Sequence, residues 1–212
     1  MYLSDDIWVR RQNDGLTNQE HQNPEYRAPS STPNYVYVRI RNRGCSSSAS
    51  GTVKLYWAKA STALGWPAPW DGSITSPAYM GGLIGSKSTG IVAGGSFVIL
   101  EFPWYPPNPA DYMSFGADKS HFCLLSRIET STNSPYGMTS PEGSDLNANV
   151  RNNNNIVWKN ITVLEPSAAK KGWVTVGNIT QRTSLAKLAF TCPKETKEAI
   201  KNILTYGKVE VD

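Results

Sequence analysis

The segment Trp66-Pro-Ala-Pro-Trp70-Asp71-Gly72, with Tyr79, Trp104 and Tyr105 as candidate neighbours, holds the residue types best suited to ligand chemistry. Flat aromatic faces stack on sugar rings through CH contacts, and an adjacent carboxylate can fix hydroxyls. Trp66, Trp70, Asp71, Tyr79 and Tyr105 therefore form a candidate glycan platform. The plainer reading is that a long loop builds its own small core from them, and it is favoured because large aromatics bury more area than other side chains. His21 and His121 with the cysteines could on paper assemble a zinc site. They lie far apart in the chain, however, and no Cys-x-x-Cys pair exists, so metal-ligand spacing is lacking. Asn152 to Asn155 read as a strand-entry device whose amides satisfy irregular backbone. Calcium held with Asp145 is the sharper alternative, but carboxylates are too few for the usual oxygen cage. Gly-x-Ser-x-Gly, His-Glu-x-x-His and phosphate-loop motifs are absent, so the sequence assigns no catalytic residue, no metal and no cofactor.

Composition narrows the class of scaffold. Charged residues are 18% of the 212 positions, below the usual ~25%. Asn, Gly and Pro fill the difference and are spread along the chain, which suits many short strands with long turns better than helices. Mean hydropathy is -0.40, and apolar runs stay far below the ~20 residues of a membrane helix, so membrane insertion is not expected. Met1-Tyr-Leu-Ser-Asp-Asp-Ile7 shows neither a basic nor an apolar signal region. An export signal, if the natural protein has one, lies outside this stretch. The net charge is +4, yet residues 1–165 carry 13 basic and 13 acidic side chains, so the excess sits in residues 166–212. A neutral main module argues against nucleic-acid binding, which concentrates basic residues on one face.

The elements that must position these residues follow from periodicity. Ile7-Trp-Val-Arg10 reads as an edge strand, followed by a polar loop to Pro33. In residues 34–42, Val36, Val38 and Ile40 alternate with Tyr37, Arg39 and Arg41, the pattern of a half-buried strand. Val53, Leu55 and Trp57 form the inward set of the next strand. Further strands are expected at 82–85, 96–104 and 121–129, the last apolar on both faces, with a final strand over 150–163 after a polar lead-in. Residues 58–82, 105–120 and 130–149 read as long loops. About seven such strands make a two-sheet sandwich, with Phe122, Leu124 and Ile128 joining the core. After a linker at 165–172, residues 166–212 read as a small C-terminal α+β appendage: strands at Trp173–Val176 and Leu185–Phe190, then a helix with Ala199, Ile200, Ile203 and Leu204 on one stripe. So small a unit reads as incomplete alone, to be completed by further chain or by a partner.

The series Tyr35-Val-Tyr-Val-Arg-Ile-Arg-Asn-Arg-Gly44, Val53-Lys-Leu-Tyr56, Ile91 to Leu100 with Trp104, Phe122 to Glu129 and Asn152 to Val163 resembles the bacterial cell-adhesion-related (CARDB-type) domain. The resemblance covers residues 34–163 and is also to sandwich modules of large Bacteroidetes exoproteins. Departures are the longer loops at 58–82 and 105–120 and the reduction of the acidic residues before the Asn run to Glu142 and Asp145. The resemblance implies a mainly β, immunoglobulin-like antiparallel sandwich over residues 1–165. Such domains place a Trp against a disulfide between the sheets, and Cys45, Trp57 and Cys123 fall in that order. A Cys45–Cys123 bridge and two separate thiols both remain open. The functional expectation is a non-catalytic extracellular or cell-surface structural or adhesion module. Its partners would be other protein domains or copies of itself. The alternative is a carbohydrate-binding module using the Trp66/Trp70 loop, with glycans as its ligands.

Overall fold

Alternating apolar residues leave each strand with one face that must be covered, and two sheets cover each other. The computed structural model describes residues 4–28, 31–60 and 64–165. The expected appendage, residues 166–212 with Cys192, lies outside the described residues. Seven strands form: β1 (Ile7–Arg10), β2 (Asn34–Arg41), β3 (Thr52–Lys59), β4 (Gly81–Ser88), β5 (Phe97–Trp104), β6 (His121–Glu129) and β7 (Ile156–Thr162). They build a three-stranded sheet, β1-β2-β5, and a four-stranded sheet, β4-β3-β6-β7. Every named pairing is antiparallel. This is an immunoglobulin-like β-sandwich, as the sequence leads one to expect.

Between the sheets, Val36, Val38 and Ile40 of β2 meet Val53 and Leu55 of β3 and Phe122 and Leu124 of β6, all buried. Trp57 and Ile128 pack against this core while partly exposed. Burying each such aliphatic side chain is worth about 1.5–3 kcal/mol. Lys59 ends the inward row of β3 and is fully buried. Its Nζ donates to the carbonyls of Asp118 and His121, both at 2.7 Å, and lies 4.8 Å from the Phe115 ring and 5.1 Å from that of Phe122. The lysine thus ties residues 109–120 to the end of the core.

Two segments differ from the sequence reading. Residues 109–120 are not plain loop but short 3-10 turns, started by Asn108, whose side chain accepts from the Ala110 N–H at 3.1 Å. The polar lead-in to the last strand is partly the helix α1 (Leu146–Asn152), so the strand begins only at Ile156. Asp145 caps α1 by accepting from the Asn147 and Ala148 N–H groups at 2.9 and 3.2 Å. Asn153 ends it, donating to the Asn149 carbonyl at 3.1 Å and accepting from the Ser140 N–H at 2.9 Å. Asn155 donates to the Ile128 carbonyl at 3.2 Å. These amides serve irregular backbone, as the strand-entry reading has it.

The outer faces are covered as well. Tyr37, on the polar side of β2 by its alternation, is fully buried under the loop after β1. It stacks on Trp8 with ring centroids 5.5 Å apart, and the Trp8 indole donates to the Gly15 carbonyl at 3.1 Å. A Cβ added at Gly15 would stand 2.2 Å from the Tyr37 ring. Gly15→Ala is therefore expected to lift this loop and destabilise the protein by about 1–3 kcal/mol, read as a fall in urea midpoint at unchanged slope. An unchanged midpoint would show that the loop contributes nothing to the sheet beneath it.

Candidate functional site

The aromatic segment is positioned by the outer face of the four-stranded sheet. There Tyr56 and Ala58 of β3, Cys123 and Leu125 of β6 and Trp158 of β7 form a second buried cluster. Trp70 completes it. Its side chain is fully buried, its ring stands edge-on to Trp158 at 6.5 Å, and its Nε1 donates to the Gly65 carbonyl at 3.0 Å. Trp66 stands edge-on to Tyr56 at 5.6 Å, under the Arg127 guanidinium at 5.1 Å. Asp71 accepts from the Ser73 N–H and hydroxyl at 3.0 and 2.6 Å, which holds its carboxyl below the usual carboxylate range. Tyr79 and Tyr105 are exposed, and Trp104 is buried in the inter-sheet core. The platform therefore lacks its central ring: Trp70 has no face left for a sugar. Trp70 is a buried member of the second cluster, and Trp66 packs against it.

The second cluster also decides the cysteines. On β6 the side chains of Phe122 and Leu124 point between the sheets, so Cys123 points the other way, toward Leu125 and Trp158. Cys45 lies exposed in the turn after β2, and both thiols are free. The Cys45–Cys123 bridge is thereby corrected to two separate thiols. Cys123 sits one residue out of phase with the inter-sheet space that such a bridge must cross. Burial raises its thiol to about 11, and its Sγ lies 3.1 Å from Asn160 Oδ1.

Charged groups inside the loops are bonded rather than free for chemistry. Arg127, on the outer face of β6, pairs with Glu142 and Glu129, and Glu129 with Lys54 at 2.9 Å. This network pins residues 130–150 over the second cluster. His21 closes the free edge of β1: its Nδ1 accepts from the Val9 N–H at 3.1 Å, and the Gln22 N–H donates to the Val9 carbonyl at 2.9 Å. Burial, helped by the charge of Lys159, lowers His21 to about 4. No group of three His, Cys, Asp or Glu side chains converges on a metal-sized space among the described residues.

One concavity that sequence reasoning missed is a slot of about 410 Å³ beside the end of β2. It lies beside β2 beyond the start of β1. The β1–β2 ladder ends at Ile7 and Val38, after which the Arg39 N–H still donates to the Asp6 carbonyl at 2.8 Å. The preceding Ser4 carbonyl accepts instead from Lys159 Nζ at 3.0 Å. The floor consists of Val38 and Ile40 from one sheet and Ile128 and Val157 from the other. Among them is the Ser126 hydroxyl, buried with no hydrogen-bond partner among the described residues. Arg41, Arg43, Asn154 and Asn155 form the rim. Asp6 is the one carboxylate; Arg41 Nε donates to it at 3.0 Å, and Arg39 approaches within 3.6 Å. Arg43 has no acidic partner within ion-pair distance among the described residues. Ser126, between Leu124 and Ile128 on the inward face of β6, was the signal in the sequence.

No family model matches the chain, and no curated protein matches it. Among solved structures, the chain is similar to the CARDB domain of a Pyrococcus furiosus protein, solved in complex with di-metal ions. That likeness has 11% identity and a TM-score of 0.37, covering 75% of this chain and 91% of that one. It is also similar to part of a β-glucosidase from Streptomyces venezuelae solved with D-glucose, at 15% identity and a TM-score of 0.28. There it covers 66% of this chain and spans 14% of the glucosidase.

Two outcomes follow from these contacts. Trp70→Ala is expected to cost ~3–5 kcal/mol of unfolding free energy, measured by denaturant titration; a nearly unchanged value would return the ring to a ligand-binding role. For His21 the folded value, about 4, lies below its ordinary 6.5. The unfolded chain therefore binds the proton first, and the stabilisation present above pH 6.5 is lost as pH falls from 6.5 toward 4. Relative to a non-titrating His21→Gln variant, the wild type should lose about 1 kcal/mol between pH 7 and pH 5, after discounting for partial exposure. Parallel stability curves for the two proteins would contradict the edge-closing role.

Proposed function

We propose that this chain is a non-catalytic structural or adhesion module that works by contact with other protein domains or with copies of itself, within an extracellular or cell-surface assembly. The supporting observation is the difference between the two flanks of the sandwich. On the flank where β1 lies beside β7, the loop after β1 bonds back to Val9, and Glu25 bridges to Leu164. Lys159 of β7 is buried there, and a charge turned inward on an edge strand guards against edge pairing.

On the opposite flank β4 lies beside β5, each eight residues long. Among the described residues, no loop bonds to the outward edge of either strand between their ends. Leu83 and Phe97 are both about half exposed on these strands. A long bare edge is a template for strand addition. The Asn42 N–H donates to Ser96 and the ladder alternates, so the N–H groups of Phe97, Ile99 and Glu101 point away from β2. Pro103, which has no N–H, occupies the next outward position, as edge strands allow.

The test is sedimentation of the full chain over a concentration series. Wild type should self-associate reversibly. Ile99→Pro removes an outward donor and no ladder bond, so it should be monomeric with a melting temperature within a few degrees of wild type. A chain that stays monomeric at every concentration would overturn the pairing of copies. Association that survives Ile99→Pro would overturn the assignment to the β5 edge.

A further inference from the structure

We infer that residues 19–22 form an acid-released cover over the outward edge of β1: protonation of the His21 imidazole detaches this segment from Val9 while the sandwich beneath it stays folded. The inference stands apart from the pairing proposed for the β5 edge, since it concerns the opposite edge of the same three-stranded sheet.

Three observations carry it. The first is that the cover hangs on a titratable acceptor. His21 Nδ1 accepts from the Val9 N–H at 3.1 Å and the Gln22 N–H donates to the Val9 carbonyl at 2.9 Å, so the pair caps both outward main-chain groups of one β1 residue. A protonated imidazole carries a hydrogen on both nitrogens, and it then meets the Val9 N–H donor to donor. The second is the charge around the ring. Lys159 of β7, Arg39 of β2, Asp5 ahead of β1 and Glu20 of the segment itself line one recess with His21, and Arg10 of β1 donates to the Glu20 carbonyl at 3.0 Å. Asp5 and Glu20 carry the opposing sign, yet burial first, and then the ammonium of Lys159, act against a positive ring. The third is that both ends of the segment are anchored without a histidine. Before it, Arg10 Nε pairs with Asp14 at 2.8 Å, which holds the Asp14 carboxyl below the usual range, and the Asn18 N–H donates to the Asp14 carbonyl at 2.8 Å. After it, Asn23 Oδ1 accepts from the Thr162 N–H at 3.2 Å and the Pro24 carbonyl from the Leu164 N–H at 2.8 Å.

The opening is therefore local, between two fixed anchors. With the segment closed the ring takes a proton only near pH 4, against 6.5 once released. The closed form is thus fully favoured above pH 6.5 and loses that advantage as pH falls toward 4. Between pH 7 and pH 5 the ratio of open to closed should rise by up to about 20-fold. What opening bares is the N–H and carbonyl of Val9, and a bare strand edge is the part of a sheet that other chains pair with. Acidity then sets whether this edge is guarded.

The experiment is native-state amide hydrogen exchange of the full chain, followed by NMR at pH 7, 6 and 5 with and without low urea, each rate referred to that of an unstructured amide at the same pH. Trp8 and Arg10, whose N–H groups by alternation face β2, serve as the internal comparison. Val9 and Gln22 should be protected at least ~10-fold less than Trp8 and respond little to urea, the mark of a local opening, whereas Trp8 exchange should quicken steeply with urea. Val9 protection should fall by at least ~5-fold from pH 7 to pH 5. His21→Gln, whose side-chain oxygen still accepts but does not titrate, should flatten that fall. Val9 and Trp8 exchanging together with the same urea dependence would mean that only global unfolding frees the edge, and would overturn the inference. So would Val9 protection that ignores pH, or a fall that persists undiminished in His21→Gln. The same pattern is expected in Ile99→Pro, so failure of the β5 pairing leaves this inference intact.

Discussion

β6 is apolar on both faces, and the rest of the molecule is arranged around that constraint. Phe122 and Leu124 turn toward the three-stranded sheet, Cys123 and Leu125 away from it, and all four are buried. A two-layer sandwich covers only the first pair. The second pair requires a third layer, and this chain makes it from loops: residues 64–72 bring Trp70, and residues 136–150 bring Met138 and Leu146. Those loops thereby bury the outer apolar face of β6.

Loops carry polar backbone, and covering a sheet with them needs internal partners for it. Here charged side chains supply many of those bonds. Arg127 is nearly buried among Glu142, Glu129, Trp66 and Tyr136, and Lys59 is ringed by carbonyls and aromatic faces. Buried ions add little net stability over apolar substitutes, but removing one partner is costly. Such groups therefore fix where each loop sits. His21 and Gln22 do the same for the edge of β1 with uncharged bonds.

What is left over after this sealing defines the surfaces available for contact. Beside the end of β2, a slot brings apolar residues of both sheets together with Arg41 and Arg43. The β4 and β5 flank keeps two full-length edges.

Sequence alone determined the strands and the inter-sheet core, because alternation of Val36, Val38, Ile40, Val53 and Leu55 is a local, period-two property that needs no knowledge of neighbours. Asp145 and Asn108 were legible as caps in principle, yet a cap competes with the strand pattern that follows it, and α1 falls across the expected loop at 130–149 and the expected strand from 150. Tertiary structure decided the rest. Whether Trp70 faces solvent or Trp158, whether Cys123 shares a space with Cys45, and whether Tyr37 is covered all depend on which segment is laid over an outer face. No local period encodes that. The slot is the same kind of feature: its lining comes from β2, β6 and β7, strands distant in sequence, so it exists in the packing and in no single stretch of residues.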